Sequence, residues 1–165
     1  MPIVDSILME LDQESKTTRK LLERIPEDKL GWKPHAKSQS LAVLSMHTAR
    51  IGGQIAKAAA VDSFEFAPGP PSDPKTRKEI LDAFDENVAS AREILKSFDD
   101  ARMMSMWSAT MGGKTLMTIP RVAMIRTLLL NHTYHHRGQL SVYLRLLDIP
   151  VPSIYGPSAD ENPFA

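Results

Sequence analysis

Five histidines stand in this chain, at positions 35, 47, 132, 135 and 136, and the spacing of two of them suits a metal. His132 and His136 are four residues apart, so on a helix their rings leave one face a turn apart, where two imidazoles can hold one ion. A bare H-x-x-x-H is a weak signal. His47 strengthens it because it too falls in an apolar helical stripe, and each buried imidazole has two polar nitrogens that need partners. One ion would serve all three rings; the alternative is three core histidines, each hydrogen-bonded to its own surroundings. Three neutral imidazoles without a fourth protein ligand leave an open metal position, which is the pattern of a catalytic rather than a structural centre. Such a centre makes bound water or a bound thiol more acidic, or polarises a substrate oxygen. Asn131, His135, Arg137, Gln139, Asp12 and Glu14 are candidates to orient the ligands. His135 projects about 100° away from His136 and reads as a flank, and His35 as a solvent-facing loop residue.

Other chemistries are excluded or unsupported. The chain has no cysteine, so it offers no disulfide, thiolate ligand or thiol nucleophile, and any thiol must come with a cosubstrate. There is no Glu-x-x-His pair of the di-iron type, no H-E-x-x-H, no G-x-S-x-G and no phosphate-cradling glycine loop. Twenty Lys and Arg balance twenty Asp and Glu with no basic run, which argues against a nucleic-acid partner. Apolar runs are too short to span a bilayer. Nothing near Met1 resembles a secretory leader, so the cytoplasm is the expected compartment.

The elements that must carry these residues read as helices. Ile7, Leu8, Leu11, Leu21, Leu22 and Ile25 recur at helical spacing from Asp5 to Ile25, with Asp5 or Ser6 as cap. A second helix runs from about Ser40 to Ala60, with His47 in its stripe. Pro68, Gly69, Pro70 and Pro71 then forbid a helix. A third is capped by Ser72 or Asp73, starts at Pro74 and ends near Asp99. Residues 101–119 are Met-rich, and Met111-Gly112-Gly113-Lys114 suggests a short hairpin. A fourth helix runs from Pro120 to about Leu147, with Ile125, Leu129, His132, His136, Leu140 and Tyr143 on one face. Trp32, Trp107, Tyr155 and the methionines read as packing residues. The tail from Asp148 is irregular. A chain of 165 residues with four such stripes is expected to be one all-α domain, a four-helix bundle. The 13-residue link from Val61 to Asp73 is long enough to return to the same end of a helix, so up-down-down-up order is open as well as simple up-down. Zero net charge and the Met-rich segment make self-association an expectation.

Several segments together resemble the DinB-like (DinB/YfiT-like) superfamily. They are Leu30-Gly31-Trp32-Lys33-Pro34-His35, Ser40-Leu41-Ala42-Val43-Leu44-Ser45-Met46-His47, Asn131-His132-Thr133-Tyr134-His135-His136-Arg137-Gly138-Gln139-Leu140, and the tail around Tyr155-Gly156-Pro157-Ser158-Ala159-Asp160-Glu161. The resemblance implies an up-down-down-up four-helix bundle and frequent homodimers. It also implies a divalent ion, often zinc or nickel, on His47, His132 and His136. Relatives of this type include S-transferases that use low-molecular-weight thiols such as bacillithiol or mycothiol, and mycothiol-dependent isomerases. A thiol-dependent transferase or hydrolase acting on a small molecule is therefore one expectation. A non-catalytic metal-binding or small-molecule-binding protein of a stress response is the other.

Overall fold

The computed structural model describes residues 1–67, 69 and 72–164. Its first helix, α1 (Ile3–Leu22), buries Val4, Ile7, Leu11, Leu21 and Leu22, the apolar residues of a helical stripe. Pro2 begins it without a side-chain cap, and the first free N–H, of Ile3, donates to Asp100 Oδ1 at 2.7 Å. The expected caps Asp5 and Ser6 instead lie inside the helix, because a carboxylate 97 residues away reaches the orphan N–H first. The helix also stops before Ile25, whose N–H turns back onto the Leu22 carbonyl just ahead of Pro26.

The second helix, α2 (Leu41–Ala59), starts as the sequence suggests. Ser40 accepts a hydrogen bond from Val43 N–H at 3.2 Å. Helix α3 (Arg77–Lys96) begins later than expected, with Thr76 as cap and its Oγ1 accepting from Glu79 N–H. Thr76 Oγ1 takes the Glu79 N–H while the Glu79 carboxylate takes the Thr76 hydroxyl and the Lys75 N–H, a mutual cap that outcompetes Ser72 or Asp73 followed by Pro74. Of the loop residues expected to break the chain, Pro68, Pro70 and Pro71 lie outside the described residues.

A short helix, α4 (Asp100–Met104), precedes a hairpin of β2 (Met106–Met111) and β3 (Lys114–Pro120). Gly112 and Gly113 turn it with φ of 56° and 74°, the left-handed backbone that the tight turn needs and glycine supplies. A third strand, β1 (Ser63–Glu65), pairs parallel to β2. The fold is thus mostly helical with a three-stranded sheet in the order β1-β2-β3, which corrects the expectation of an all-α chain.

The last helical stretch has three parts: α5 (Arg121–Met124), a π-helical segment (Ile125–Asn131) and α6 (His132–Leu146). Helix α2 packs against α3 and α6, and α1 against α3 and α6. Gly53 allows the close approach of α2 to α3, since a Cβ there would lie 3.1 Å from Asn87 Cα. Two apolar clusters result. One holds Trp107, Met124, Ile125 and Leu129 beneath the sheet, and the other holds Leu22, Leu41, Leu44, Leu140 and Leu144.

Arg121 ties the sheet to the helices although its side chain is fully buried. Its guanidinium donates to the Ala59 carbonyl at 2.8 Å, to those of Arg102 and Val61 at 3.1 Å, and to Asp62 Oδ1 at 2.6 Å. Among the described residues, no helix is long and apolar enough to cross a membrane.

Candidate metal centre

His47 projects from the first half of α2, among residues of the second apolar cluster, and His132 and His136 from the first turns of α6, between the two clusters. All three are half-buried, and one ring nitrogen of each lies within 4.8 Å of the others. His47 Nε2 is 3.4 Å from His132 Nε2, and His136 Nε2 is 2.7 Å from His132 Nε2. The three ligand positions expected from the sequence are thus brought together across two helices.

The tautomer of His136 is set from outside the cluster. His136 Nδ1 lies 2.7 Å from Gln139 Oε1, and because a carbonyl oxygen only accepts, Nδ1 carries the proton and Nε2 keeps its lone pair. His132 has a backbone hydrogen bond to Leu128, at the π-helical segment. Burial lowers the pKa of His47, assisted by the neighbouring His132. Burial likewise lowers that of His132, helped by His135 and opposed by the Leu128 bond. His136 is pushed down to about 4, first by burial and then by the three neighbouring imidazoles against the Gln139 bond. At neutral pH the rings are therefore uncharged.

That donor set fits a divalent cation. Nitrogens at about 2.0–2.1 Å from a zinc ion in a tetrahedron stand about 3.3 Å apart, close to the His47–His132 separation. A single N–H can relieve the crowding in one of these pairs only, whereas a cation takes all three lone pairs at once.

The supporting candidates divide. Gln139 contacts the cluster, and the exposed His135 stacks edge-on at 4.9 Å from the His136 ring. Asn131 is exposed. Asp12 is paired with Arg92 across α1 and α3. Arg137 turns away to α1, where its side chain is buried and pairs with Glu14 at 2.7 Å. There it also donates to Thr18 Oγ1 and the Glu14 carbonyl, both at 3.3 Å, and to the Tyr155 hydroxyl. It is sandwiched by the Tyr134 and Tyr155 rings, at 5.1 and 5.0 Å. Arg137 and Glu14 thus seat α6 on α1 and close the tail over both. Tyr134 adds a second tie, donating to Glu10 Oε1 at 2.7 Å; burial and that carboxylate raise its phenol pKa. His35 is exposed, as expected.

Sequence reasoning missed Tyr134 as part of this seat, and it missed Arg50, which shares a groove with His47. The signal for Arg50 was present in its position one turn beyond His47 on the same helix.

Known proteins agree with this architecture. The chain resembles the uncharacterised protein YrdA of Bacillus subtilis strain 168, with 23% identity over 158 residues, covering 96% of this chain and 91% of that protein. Two solved structures share the fold. One is a DinB-like protein from Bacillus cereus ATCC 10987, with TM-score 0.74 and 21% identity, covering 93% of this chain and 98% of that one. The other is the DinB-like protein YjoA from Bacillus subtilis, with TM-score 0.70 and 18% identity, covering 90% and 97%. The model of the DinB family matches residues 2–163, nearly the whole length, and the chain belongs to that family.

Proposed function

We propose that this protein is a metal-dependent enzyme of small-molecule transfer, with His47, His132 and His136 as ligands of one divalent ion, zinc or nickel. The observation that carries this reading is the convergence of three neutral imidazoles on one point, with Gln139 holding His136 in the tautomer that presents Nε2. A divalent ion bound there would supply Lewis acidity toward a thiol or a water in the open position. Since the chain has no cysteine, the nucleophile is a water or the sulfur of a low-molecular-weight thiol, and the acceptor is a small electrophile. The chain's own part is to orient the ligands, through Gln139 and the Leu128 carbonyl, and to exclude bulk water with the apolar residues above and below the cluster. The same reading takes the long helical segments as a four-helix bundle in up-down-down-up order, acting as a cytoplasmic homodimer.

The test is elemental analysis of untagged protein and of His132→Ala, both loaded with zinc or nickel. The expected result is near one ion per chain in the parent and a large loss in the variant. Full occupancy in the variant would sink the site. Turnover of a thiol and electrophile pair that is abolished by chelation supports the enzyme. Metal bound without turnover of any such pair, or of a hydrolysable ester, favours a binding protein instead.

A further inference from the structure

Beside the histidine cluster, α2 forms one wall of a groove of about 360 Å³ whose lining includes Gln39, Val43, Met46, His47, Arg50 and Gln54. At 100° per residue, Val43, Arg50 and Gln54 all lie within about 60° of His47 on the helix. His47 is therefore shared, with its ring on the groove and its Nε2 facing His132.

Arg50 is the unusual member. It is half-buried, and among the described residues no hydrogen bond or ion pair engages its guanidinium. Every other buried or half-buried arginine is engaged. Arg19 pairs with Asp85, Arg92 with Asp12, Arg121 with Asp62 and Arg137 with Glu14, while Arg77 and Arg102 bond the carbonyls of Ile25 and Ala60. Among the described residues the groove lining contains no carboxylate. Among the described residues none of its nitrogens is both buried and unpartnered, so the guanidinium stands hydrated on the groove wall, where a ligand's acceptor can replace that water.

We propose that Arg50, aided by the amides of Gln39 and Gln54, anchors a carboxylate on the small molecule that reacts at the histidine cluster. The guanidinium offers a fork of N–H donors matched to the two oxygens of a carboxylate, and the amides add further donors. One cation balances one carboxylate but would leave a phosphate dianion half-neutralised. The reactive atom of the ligand then sits about one helical turn from its carboxylate, the separation of positions 47 and 50. This assignment rests on the proposed metal centre for the reacting end of the ligand, and not for its anchored end.

The experiment titrates the zinc-loaded protein, with zinc per chain measured, against 3-mercaptopropionate and 2-mercaptoethanol by calorimetry. The parent is expected to prefer the carboxylate thiol by about tenfold or more, the usual worth of a charge-assisted hydrogen bond. Arg50→Gln should reduce that preference to about threefold or less at unchanged zinc content, with Arg50→Lys in between because it keeps the charge and loses the fork. A preference absent in the parent, or undiminished in Arg50→Gln, overturns the proposal. So does inorganic phosphate displacing 3-mercaptopropionate at lower concentration than propionate does. If the chain retains no zinc, the metal reading fails by itself. The anchor is then read from propionate titrated into the metal-free protein and followed by NMR. Shifts around the groove that vanish in Arg50→Gln support it, and their absence in the parent or persistence in the variant overturns it.

Discussion

Replacing Glu14 by Gln removes a charge from the least exposed ion pair among the described residues while keeping the side chain's shape. Arg137 has 1% of its side chain exposed and Glu14 10%, so the variant leaves a guanidinium buried without a counter-charge. Breaking such a pair from one side costs about 3–5 kcal/mol. The lower end applies here, because Thr18 Oγ1, the Glu14 carbonyl and the Tyr155 hydroxyl still accept from Arg137, and two tyrosine rings still face it. The expected loss is therefore about 3 kcal/mol, or about 6–12 °C in Tm at this chain length. Urea unfolding of the metal-free protein, followed by circular dichroism, measures it. The double variant Glu14→Leu/Arg137→Met removes both charges and should recover most of the loss, to within about 1 kcal/mol of the parent. A cost below about 1 kcal/mol for Glu14→Gln, or a double variant as unstable as the sum of its singles, would refute the view that this pair seats α6 on α1 by compensating two buried charges.

Three further outcomes follow from the same geometry. Because His136 is neutral in the fold down to about pH 4 while a free imidazole protonates near pH 6.5, the unfolded chain takes up protons first. Stability of the metal-free protein should therefore fall as pH drops from about 6.5 toward 4, the span over which this histidine contribution is lost; urea midpoints that are flat across this window would contradict the burial of these rings. Gln139→Leu removes the acceptor that fixes the His136 tautomer and should weaken zinc binding by about 10–100-fold, measured by competition with a chromogenic chelator, with folding unchanged. Gly53→Ala places a methyl against Asn87 Cα and should cost about 1–3 kcal/mol by overpacking the α2–α3 contact; an unchanged urea midpoint would mean that the two helices part without penalty.

What could be read from the sequence follows from the range of the interactions involved. Apolar stripes, the Ser40 cap and the Gly112-Gly113 turn are local patterns, and each stands in the structure where the spacing suggests. So do the three histidines, since two share a helix turn and the third lies in a stripe. Strand β1 has three residues and no detectable alternation; it exists because Phe64 and its neighbours find β2 more than forty residues away. The burial of Arg121 depends on the carbonyls of Ala59 at the end of α2 and of Arg102 in α4, which no local pattern reveals. Arg137 was placed near the metal by adjacency to His136. One step along a helix is a turn of about 100°, enough to send it to a different neighbour.

The π-helical segment links these levels. Ile125–Asn131 contains neither glycine nor proline, so no residue type announces the departure from α geometry. Its consequence lies at His132, whose N–H is shared between the Leu129 carbonyl three residues back and the Thr127 carbonyl five residues back. In an ordinary α-helix that N–H would take the Leu128 carbonyl four residues back. The Leu128 carbonyl instead lies by the His132 ring and raises its pKa, while the ring's Nε2 is directed at His47 and His136. The same widened turn changes which residues face inward. Upstream, Met124, Ile125, Leu129 and Leu130 are buried; downstream the deepest line passes through Arg137, Leu140 and Leu144, with His132 and His136 at its shoulder. Segments of this kind recur at functional sites because they give up regular hydrogen bonding to re-aim particular side chains. Here the departure from α geometry falls directly before His132, and the two rings that follow it stand half-buried within reach of His47.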